Sequence, residues 1–331
     1  MQWAKQLMLA GALLAAAWSG VTTQAWAQAA WKPDRAVEII LGVSPGGPQD
    51  QMGRLLQKVL TDGRGFEVPV TAVNKPGGGG AVGLAYVNTR PGDGRVVMIV
   101  APTLLTNQIT GRTPFGYADF TPVAVLGVEY ETLVVRADSP LKSAREVIER
   151  LKKDPGSLSV SIGTAPGNAA HIAFAHAMKV AGVDVKRLKT VSFNSNSDGS
   201  MALLGGHVDI ESAPASVVVP LLQSGKVRLL AITAPQRGRG DLAQVPTWKE
   251  LGVNSVNEVW RGLVGPKGMT RAQTAFWDEV LGKATKSEDW RREMERAQIE
   301  NIYRNSADMA TFLKEEFEET RGILAEIGMA K

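Results

Sequence analysis

The stretch Val37-Glu38-Ile39-Ile40-Leu41-Gly42-Val43-Ser44-Pro45-Gly46-Gly47-Pro48-Gln49-Asp50 constrains the fold more than any other part of the chain. It reads as a buried strand, a glycine-bearing turn and the first turn of a helix. Met52, Leu55, Leu56, Val59 and Leu60 follow at i, i+3, i+4, i+7 and i+8, one apolar face of a 3.6-residue period. Pro48 suits the first helical position, and Asp50 suits the first turn, where the helix dipole favours an acid. Asp62-Gly63 is the expected stop. A turn of this kind aims free backbone N–H groups at whatever lies above it, and a helix N-terminus is a ready anion site. Local sequence alone is equally compatible with an unoccupied strand-to-helix connection.

The rest of the chain repeats that design. Phe66–Val73 reads as a second strand, Ala81–Asn88 as a helix and Arg95–Val100 as a third, doubly buried strand, with Pro102–Asn107 as a loop. Strand, helix, strand, helix, strand implies a parallel sheet with right-handed crossovers. Thr121–Leu126 and Glu131–Val135 read as two strands around Gly127. Ala144–Lys153 is a helix, Ser157–Ile162 a strand, Gly163–Asn168 a Gly/Pro turn and Ala169–Ala181 a helix. Then come a strand over Leu188–Phe193, the polar turn Asn194–Asp198, a short helix over Met201–Leu204, a strand over Val208–Ile210, a helix over Ala215–Gln223 and a strand over Val227–Thr233. Trp260–Val264 is a strand, and Gln273–Ala284, Asp289–Gln298 and Ala307–Ile327 are amphipathic helices suited to packing on the first domain.

This layout predicts an α/β fold of two lobes with mixed sheets flanked by helices and a ligand cleft between them. Residues 28–129 and 235–331 form one lobe, and residues 130–234 are inserted as the other. Crossing strands permit hinge closure. Ligands of open α/β sheets sit at the carboxyl ends of strands, which places Ser44–Asp50, Pro102–Asn107, Gly163–Asn168 and Asn194–Asp198 around the cleft. These loops are rich in Gly, Pro, Ser, Thr and Asn and poor in Lys and Arg. They would hold an anion with N–H groups, hydroxyls, amides and water.

A chain of 331 residues holds one or two domains with full cores. Its 37 basic and 33 acidic residues are too balanced to signal nucleic acid. It has no Cys, which excludes disulfides, thiolate metal sites, a Cys nucleophile and a lipidated N-terminal Cys. Lys5, the apolar run from Leu7 to Trp18 and Ala25-Trp26-Ala27 make a signal peptide cleaved after Ala27. That run falls short of the roughly 20 residues needed to span a bilayer. A periplasmic mature chain is expected.

Other motifs yield no chemistry. Gly78-Gly79-Gly80-Ala81-Val82-Gly83 satisfies G-x-G-x-x-G, but Lys75-Pro76 separates it from its strand, and the next strand ends in Ala101-Pro102 with no acid for a ribose. Tight helix-to-sheet packing explains it better. His171 and His176 are five apart, about 140° around a helix, so they face different ways, and His207 follows a Gly-Gly turn. No metal or cofactor is expected. G-x-S-x-G is absent, and no catalytic residue is assigned. Asp50 and Asp198 could be imagined as paired carboxylates, but Asp50 is better explained as helix-start chemistry. Trp260 reads as a core aromatic, and Arg261 as an exposed or structural charge rather than a ligand clamp.

Taken together, several stretches make the chain resemble the extracytoplasmic solute receptors of tripartite tricarboxylate transporters, the Bug family. They are Ser44-Pro45-Gly46-Gly47 with Asp50 and Arg54; Asn74-Lys75-Pro76-Gly77-Gly78-Gly79; Pro91-Gly92-Asp93-Gly94; Asp119-Phe120-Thr121-Pro122-Val123; Leu203 to Asp209; Ser224 to Thr233; Val245-Pro246-Thr247; and Trp260 to Pro266. Glu129-Tyr130-Glu131 and Trp260-Arg261-Gly262 look closest to the tricarboxylate branch. The resemblance implies a two-lobe periplasmic binding-protein fold, no catalysis and delivery of an organic acid to a membrane permease. In the family the first loop and the loop opening the inserted domain's helix pinch a ligand carboxylate. Here they map to Gly46, Gly47, Gln49 and Asp50, and to Thr164, Gly167 and Asn168, with Asn194, Ser195 and Asn196 at the other end.

The chain departs from the family pattern at Pro48, at Pro166, which removes a possible N–H donor, at Asn194–Ser197, and at Ala213, where many relatives have Asp. That last departure disfavours an amino-acid ligand. The expected ligand-binding set is Gly46, Gly47, Gln49, Asp50, Thr103, Thr164, Gly167, Asn168, Asn194 and Ser195. Asp50 is expected to order its loop, because like charges would repel an anion. The expected partners are a small carboxylate and integral membrane transporter subunits, with no nucleic acid and the receptor acting as a monomer. An exported enzyme using the same cleft and a receptor for a membrane signalling partner remain open readings.

Overall fold

A nearly unbroken apolar run needs cover on both faces, and the first strand, β1 (Val37–Leu41), has it: Val37, Ile39, Ile40 and Leu41 are fully buried. The computed structural model describes residues 31–62, 66–163, 165–193 and 195–330. The expected signal peptide, residues 1–27, lies outside the described residues. From Lys32 on the chain forms one compact unit. Helix α1 (Pro48–Asp62) begins at the proline marked in the sequence and buries Met52, Leu56, Val59 and Leu60.

Strands β2 (Val70–Asn74) and β3 (Val96–Val100) flank β1, both parallel to it. Helix α2 (Ala81–Asn88) connects them. The remaining strands are β4 (Phe120–Arg136), β5 (Ser159–Ser161), β6 (Lys189–Val191), β7 (Ile210–Pro214), β8 (Val227–Ile232) and β9 (Glu258–Pro266). Among the described residues the order is β2-β1-β3-β9-β4-β7-β5-β6, with β8 also paired to β4. β9 is antiparallel to both β3 and β4, so β4 runs the same way as β3. In its second half β4 is antiparallel to β7 and β8. β5, β6 and β7 form a second parallel set.

Several elements differ from the sequence expectation. The two strands expected around Gly127 are one strand of 17 residues. Gly127 does not mark a turn. A Cβ there would lie 2.4 Å from Met294 Cε, 2.8 Å from Ile299 Cγ2 and 3.0 Å from the Glu300 carbonyl, so the glycine admits a close neighbour, and the register with β9 shifts beside it. The expected loop Pro102–Asn107 is largely helix α3 (Thr103–Ile109), held by burial of Leu104, Leu105 and Ile109. The strand expected at Val208–Ile210 is β7, starting at Ile210, because the Asp209 carboxylate instead accepts the Ser159 N–H at 2.7 Å and hydroxyl at 2.6 Å. The short helix at Met201 is longer: α6 (Asn196–Leu204) follows α4 (Ala144–Lys153) and α5 (Ala169–Val180) and precedes α7 (Ala215–Gln223). The second strand starts at Val70 rather than Phe66.

The C-terminal helices α8 (Arg271–Ala284) and α9 (Glu288–Arg296) place Trp277, Leu281, Trp290 and Met294 against Ile39, Leu41, Val97 and Ile99. Helix α10 (Ser306–Glu326) covers the other face, where Met309, Leu313 and Leu324 share a core with Leu105 and Ile109 of α3 and with Ile172 and Ala175 of α5. That core ties the first parallel set to the helix that follows β5. Among the described residues no helix is long and apolar enough to cross a membrane.

Candidate functional site

The topology brings the carboxyl ends of both parallel sets to one region. β4 continues past the end of β3: Val100 pairs with Gly262 of β9, whereas Tyr130 of β4 pairs with Glu258, four residues farther along. At Glu131 the strand takes up Pro214, the last residue of β7. The segment Glu129-Tyr130-Glu131 therefore joins the carboxyl edges of the two sets, the position at which open α/β sheets bind ligands.

The first loop is built around Asp50, which is 3% exposed. Its Oδ2 accepts the Gly46 N–H at 2.9 Å. Arg54 Nε donates to both oxygens at 3.0 and 3.1 Å, and Asn74 Nδ2 donates to Oδ1 at 2.8 Å. Asn74 also accepts from Arg54 Nη2 at 2.7 Å, closing a ring. Burial works to raise the Asp50 carboxyl, but the bonds from Arg54, Gly46 and Asn74 outweigh it and hold its pKa below the ordinary aspartate value. Gly46 has φ 97°, a conformation that suits glycine. A Cβ on Gly46 or Gly47 would meet open space, so the backbone of this loop is uncrowded. Gln49 is half-buried in the first turn of α1.

The second loop repeats the device. Gly167 stands two residues before α5, as Gly46 does before α1, with φ 81°. Its N–H is accepted at 2.9 Å by the side chain four residues on, here His171 Nδ1. Asn168 caps the helix by accepting the His171 N–H at 2.9 Å. An Nδ1 that accepts must be unprotonated, so the ring carries its proton on Nε2. Burial, and secondarily the Arg112 charge, push the imidazole pKa down to about 4. A Cβ on Gly167 would lie 3.2 Å from Met329 Cε and 3.6 Å from Thr110 Cγ2, which seats this loop against the end of α3.

The third loop follows β6. The Phe193 N–H donates to the Gly163 carbonyl at 2.8 Å, and Ser195 Oγ caps α6 by accepting the Asp198 N–H at 3.0 Å. Gly163 has φ 70°, and a Cβ there would lie 2.3 Å from Asn196 Oδ1 and 2.9 Å from Asn168 Nδ2. The expected polar turn is thus a capped helix start. Thr164 and Asn194 lie outside the described residues. Thr103 opens α3 and is half-buried, and Asn107 Nδ2 in the same helix donates to the Gly79 carbonyl at 3.0 Å.

Of the ten residues expected from sequence, the structure sets Gly46, Gly47, Gln49, Asp50 and Thr103 at the first carboxyl edge and Gly167, Asn168 and Ser195 at the second. The N–H groups of Gly46 and Gly167 are turned inward to side chains of their own helices, which leaves the helix N-termini as the outward donors. Asn74 and His171 were not expected here. Asn74 sits in the quoted Asn74-Lys75-Pro76 stretch, and His171 at i+4 from a loop glycine was the available signal.

Beneath the loops, Arg261 is buried and paired with the Glu129 carboxylate, which also accepts from Ser216 Oγ at 2.5 Å. Arg261 is therefore a structural charge. Burial pushes the neighbouring Glu131 carboxyl well above its usual range, and the Glu129 charge adds to this. Trp260 is fully buried, edge-on to Phe312 at 5.7 Å. The glycine fingerprint at 78–83 is packing: a Cβ on Gly83 would lie 2.8 Å from Met98 Cε and 3.3 Å from Gly42 Cα. Among the described residues no three His, Asp or Glu side chains are grouped to hold a metal.

Two anchored loops, each leading into a helix N-terminus, can receive an anion reversibly. The sequence profile of the tripartite tricarboxylate transporter family receptor, TctC, matches residues 54–329. The chain belongs to that family. It is a solute-binding receptor rather than an enzyme. A Cupriavidus necator relative, the UPF0065 protein in the gbd 5′ region, is 30% identical over 314 residues, covering 93% of this receptor and 92% of that protein. A TctC solute-binding protein from Polaromonas, solved without ligand, is 26% identical with a TM-score of 0.71, covering 89% of this receptor and 99% of that chain. An R. palustris protein solved with adipate is 24% identical with a TM-score of 0.82, covering 90% and 99%. The fold is that of these periplasmic binding proteins.

Proposed function

We propose that this receptor captures a small di- or tricarboxylate between its two carboxyl edges and delivers it to a tripartite tricarboxylate-type membrane transporter. The observation that carries the reading is the matched pair of glycine loops, each anchored four residues downstream and each opening a helix at a carboxyl edge. Two such loops offer N-terminal N–H groups to two ends of one anion, or to one carboxylate from two sides. Adipate in a protein of the same fold supports the dicarboxylate class.

In this reading Gly46, Gly47, Gln49 and Thr103 contribute from residues 28–129, and Thr164, Gly167, Asn168, Asn194 and Ser195 from an inserted lobe of residues 130–234. Residues 235–331 complete the first lobe, and Asp50 acts by shaping its loop. Family membership supports a periplasmic location and a transporter partner. Export would leave a monomeric mature chain beginning at Gln28, and intact mass of the protein recovered from periplasm tests that boundary.

Calorimetric titration of refolded protein with mono-, di- and tricarboxylates tests the ligand class. Saturable binding of dicarboxylates or tricarboxylates, weakened in Asn168→Ala, is the expected result. Binding of amino acids alone would contradict it.

A further inference from the structure

Gly46 and Gly167 are equivalent in two loops unrelated in sequence. Each has positive φ, each stands two residues before a helix, and each gives its N–H at 2.9 Å to a side chain at i+4. The acceptors differ in charge. Asp50 is a carboxylate whose charge is met by Arg54 and Asn74. His171 is a neutral imidazole accepting through Nδ1.

That difference matters at a site for an anion. Arg112 is exposed, and its charge is felt at the His171 ring. With an uncharged anchor this positive potential remains for an incoming ligand. An acid at the same place would cancel it and add a negative charge beside the Gly167 loop.

We propose that His171 is a positioning residue for ligand recognition, the uncharged counterpart of Asp50, holding the Gly167 loop in its receiving shape without adding negative charge to the site. The inference rests on the proposed reading that both loops receive a carboxylate. It deepens that reading by assigning the second loop's anchor and the reason for its chemistry.

The geometry supplies its own rescue experiment. The Asp50 side chain shows that a residue of that length reaches a glycine N–H four residues upstream. Asparagine at 171 should therefore restore the bond without charge, although it fills less space than imidazole. The test is calorimetry with adipate on wild type, His171→Ala, His171→Asn and His171→Asp, with the Gly167 amide followed by NMR.

His171→Ala should weaken adipate by about tenfold, the loss of one hydrogen bond's worth of positioning, and shift the Gly167 amide. His171→Asn should recover to within about threefold of wild type and return the amide. His171→Asp should restore the amide yet bind adipate about fivefold or more weakly than His171→Asn. Equal affinity in all four proteins, or His171→Asn no better than His171→Ala, overturns the inference while leaving the receptor reading intact. If His171→Ala fails to fold, the comparison of His171→Asn with His171→Asp decides it. Wild type that binds neither adipate nor any other dicarboxylate or tricarboxylate overturns the carboxylate reading, and this inference with it.

Discussion

The Asp50 carboxylate accepts the Gly46 N–H at 2.9 Å while the His171 imidazole accepts the Gly167 N–H at the same distance, so one acid and one neutral base shape two matching loops. Asp50 does so from a buried position, bonded also to Arg54 and Asn74. Removing it leaves the Gly46 N–H without its acceptor and takes one partner from Arg54 and from Asn74, which stay bonded to each other, with Asn74 still donating to the Val43 carbonyl.

Asp50→Ala should therefore cost about 1–3 kcal/mol of stability, the range for leaving a buried hydrogen-bonding group unsatisfied. It should also weaken carboxylate binding. Asp50→Asn, which keeps one acceptor, should lose less. Because the folded pKa is depressed, the Asp50 contribution is present above the ordinary aspartate pKa and fades as pH falls through the lower folded value. Urea melts of wild type and Asp50→Asn between pH 5 and pH 3 should converge on acidification.

Two buried groups give stability a pH dependence of opposite sign. Burial pushes the Glu211 carboxyl up to about 8, against a bond from Ser200 Oγ at 3.0 Å. A raised acid contributes its full stability below the unfolded pKa and loses it as pH rises through the folded value. His171, pushed down to about 4, contributes stability above the unfolded histidine pKa and loses it as pH falls toward 4. Between about pH 4.5 and 6.5 the two oppose each other; above about 6.5 only Glu211 of this pair still acts, in the same direction as the Glu131 and Glu316 carboxyls that burial also raises. Glu211→Gln should match wild type near pH 4.5 and exceed it by about 2–5 kcal/mol at pH 8. Parallel melting curves across that range would contradict the assignment.

The close approach at Gly127 predicts a sharp response. A Cβ there would meet Met294, Ile299 and the Glu300 carbonyl within 3.0 Å. Met294 can move its chain end, but backbone cannot yield as easily. Gly127→Ala should cost about 1–3 kcal/mol, the usual range for overpacking. An unchanged melting temperature would mean that α9 and its following turn do not press on β4 as described.

How much of this was legible in the sequence follows from the range of each interaction. Helix α1 could be read from Pro48 to Asp62 because its apolar period, first-turn acid and start signal all agree. β4 could not be read through Gly127, because a glycine admitting a distant helix looks locally like a glycine making a turn. Helix α3 was hidden because seven residues after a proline show too little periodicity. Ser195 and Asp198 carried a capping signal three residues apart that the run of polar residues around them obscured.

At the site, Asp50 was expected to order its loop, but its partner Asn74 lies 24 residues away at the end of β2, which no local pattern reveals. His171 read as an isolated histidine because its bond to Gly167 exists only once Gly167 adopts φ 81°. The G-x-G-x-x-G string was legible as packing, since the sequence around it lacked the companions a dinucleotide site requires.

The most direct test of the central claim is calorimetric titration of the refolded receptor with adipate, succinate and citrate, with glutamate and benzoate as controls. The account predicts saturable, selective binding to at least one of the three acids, and a melting transition raised by about 2.7 kcal/mol equivalent at a ligand concentration 100 times Kd. No heat and no thermal shift with any of the three would contradict the carboxylate site formed by the Gly46 and Gly167 loops.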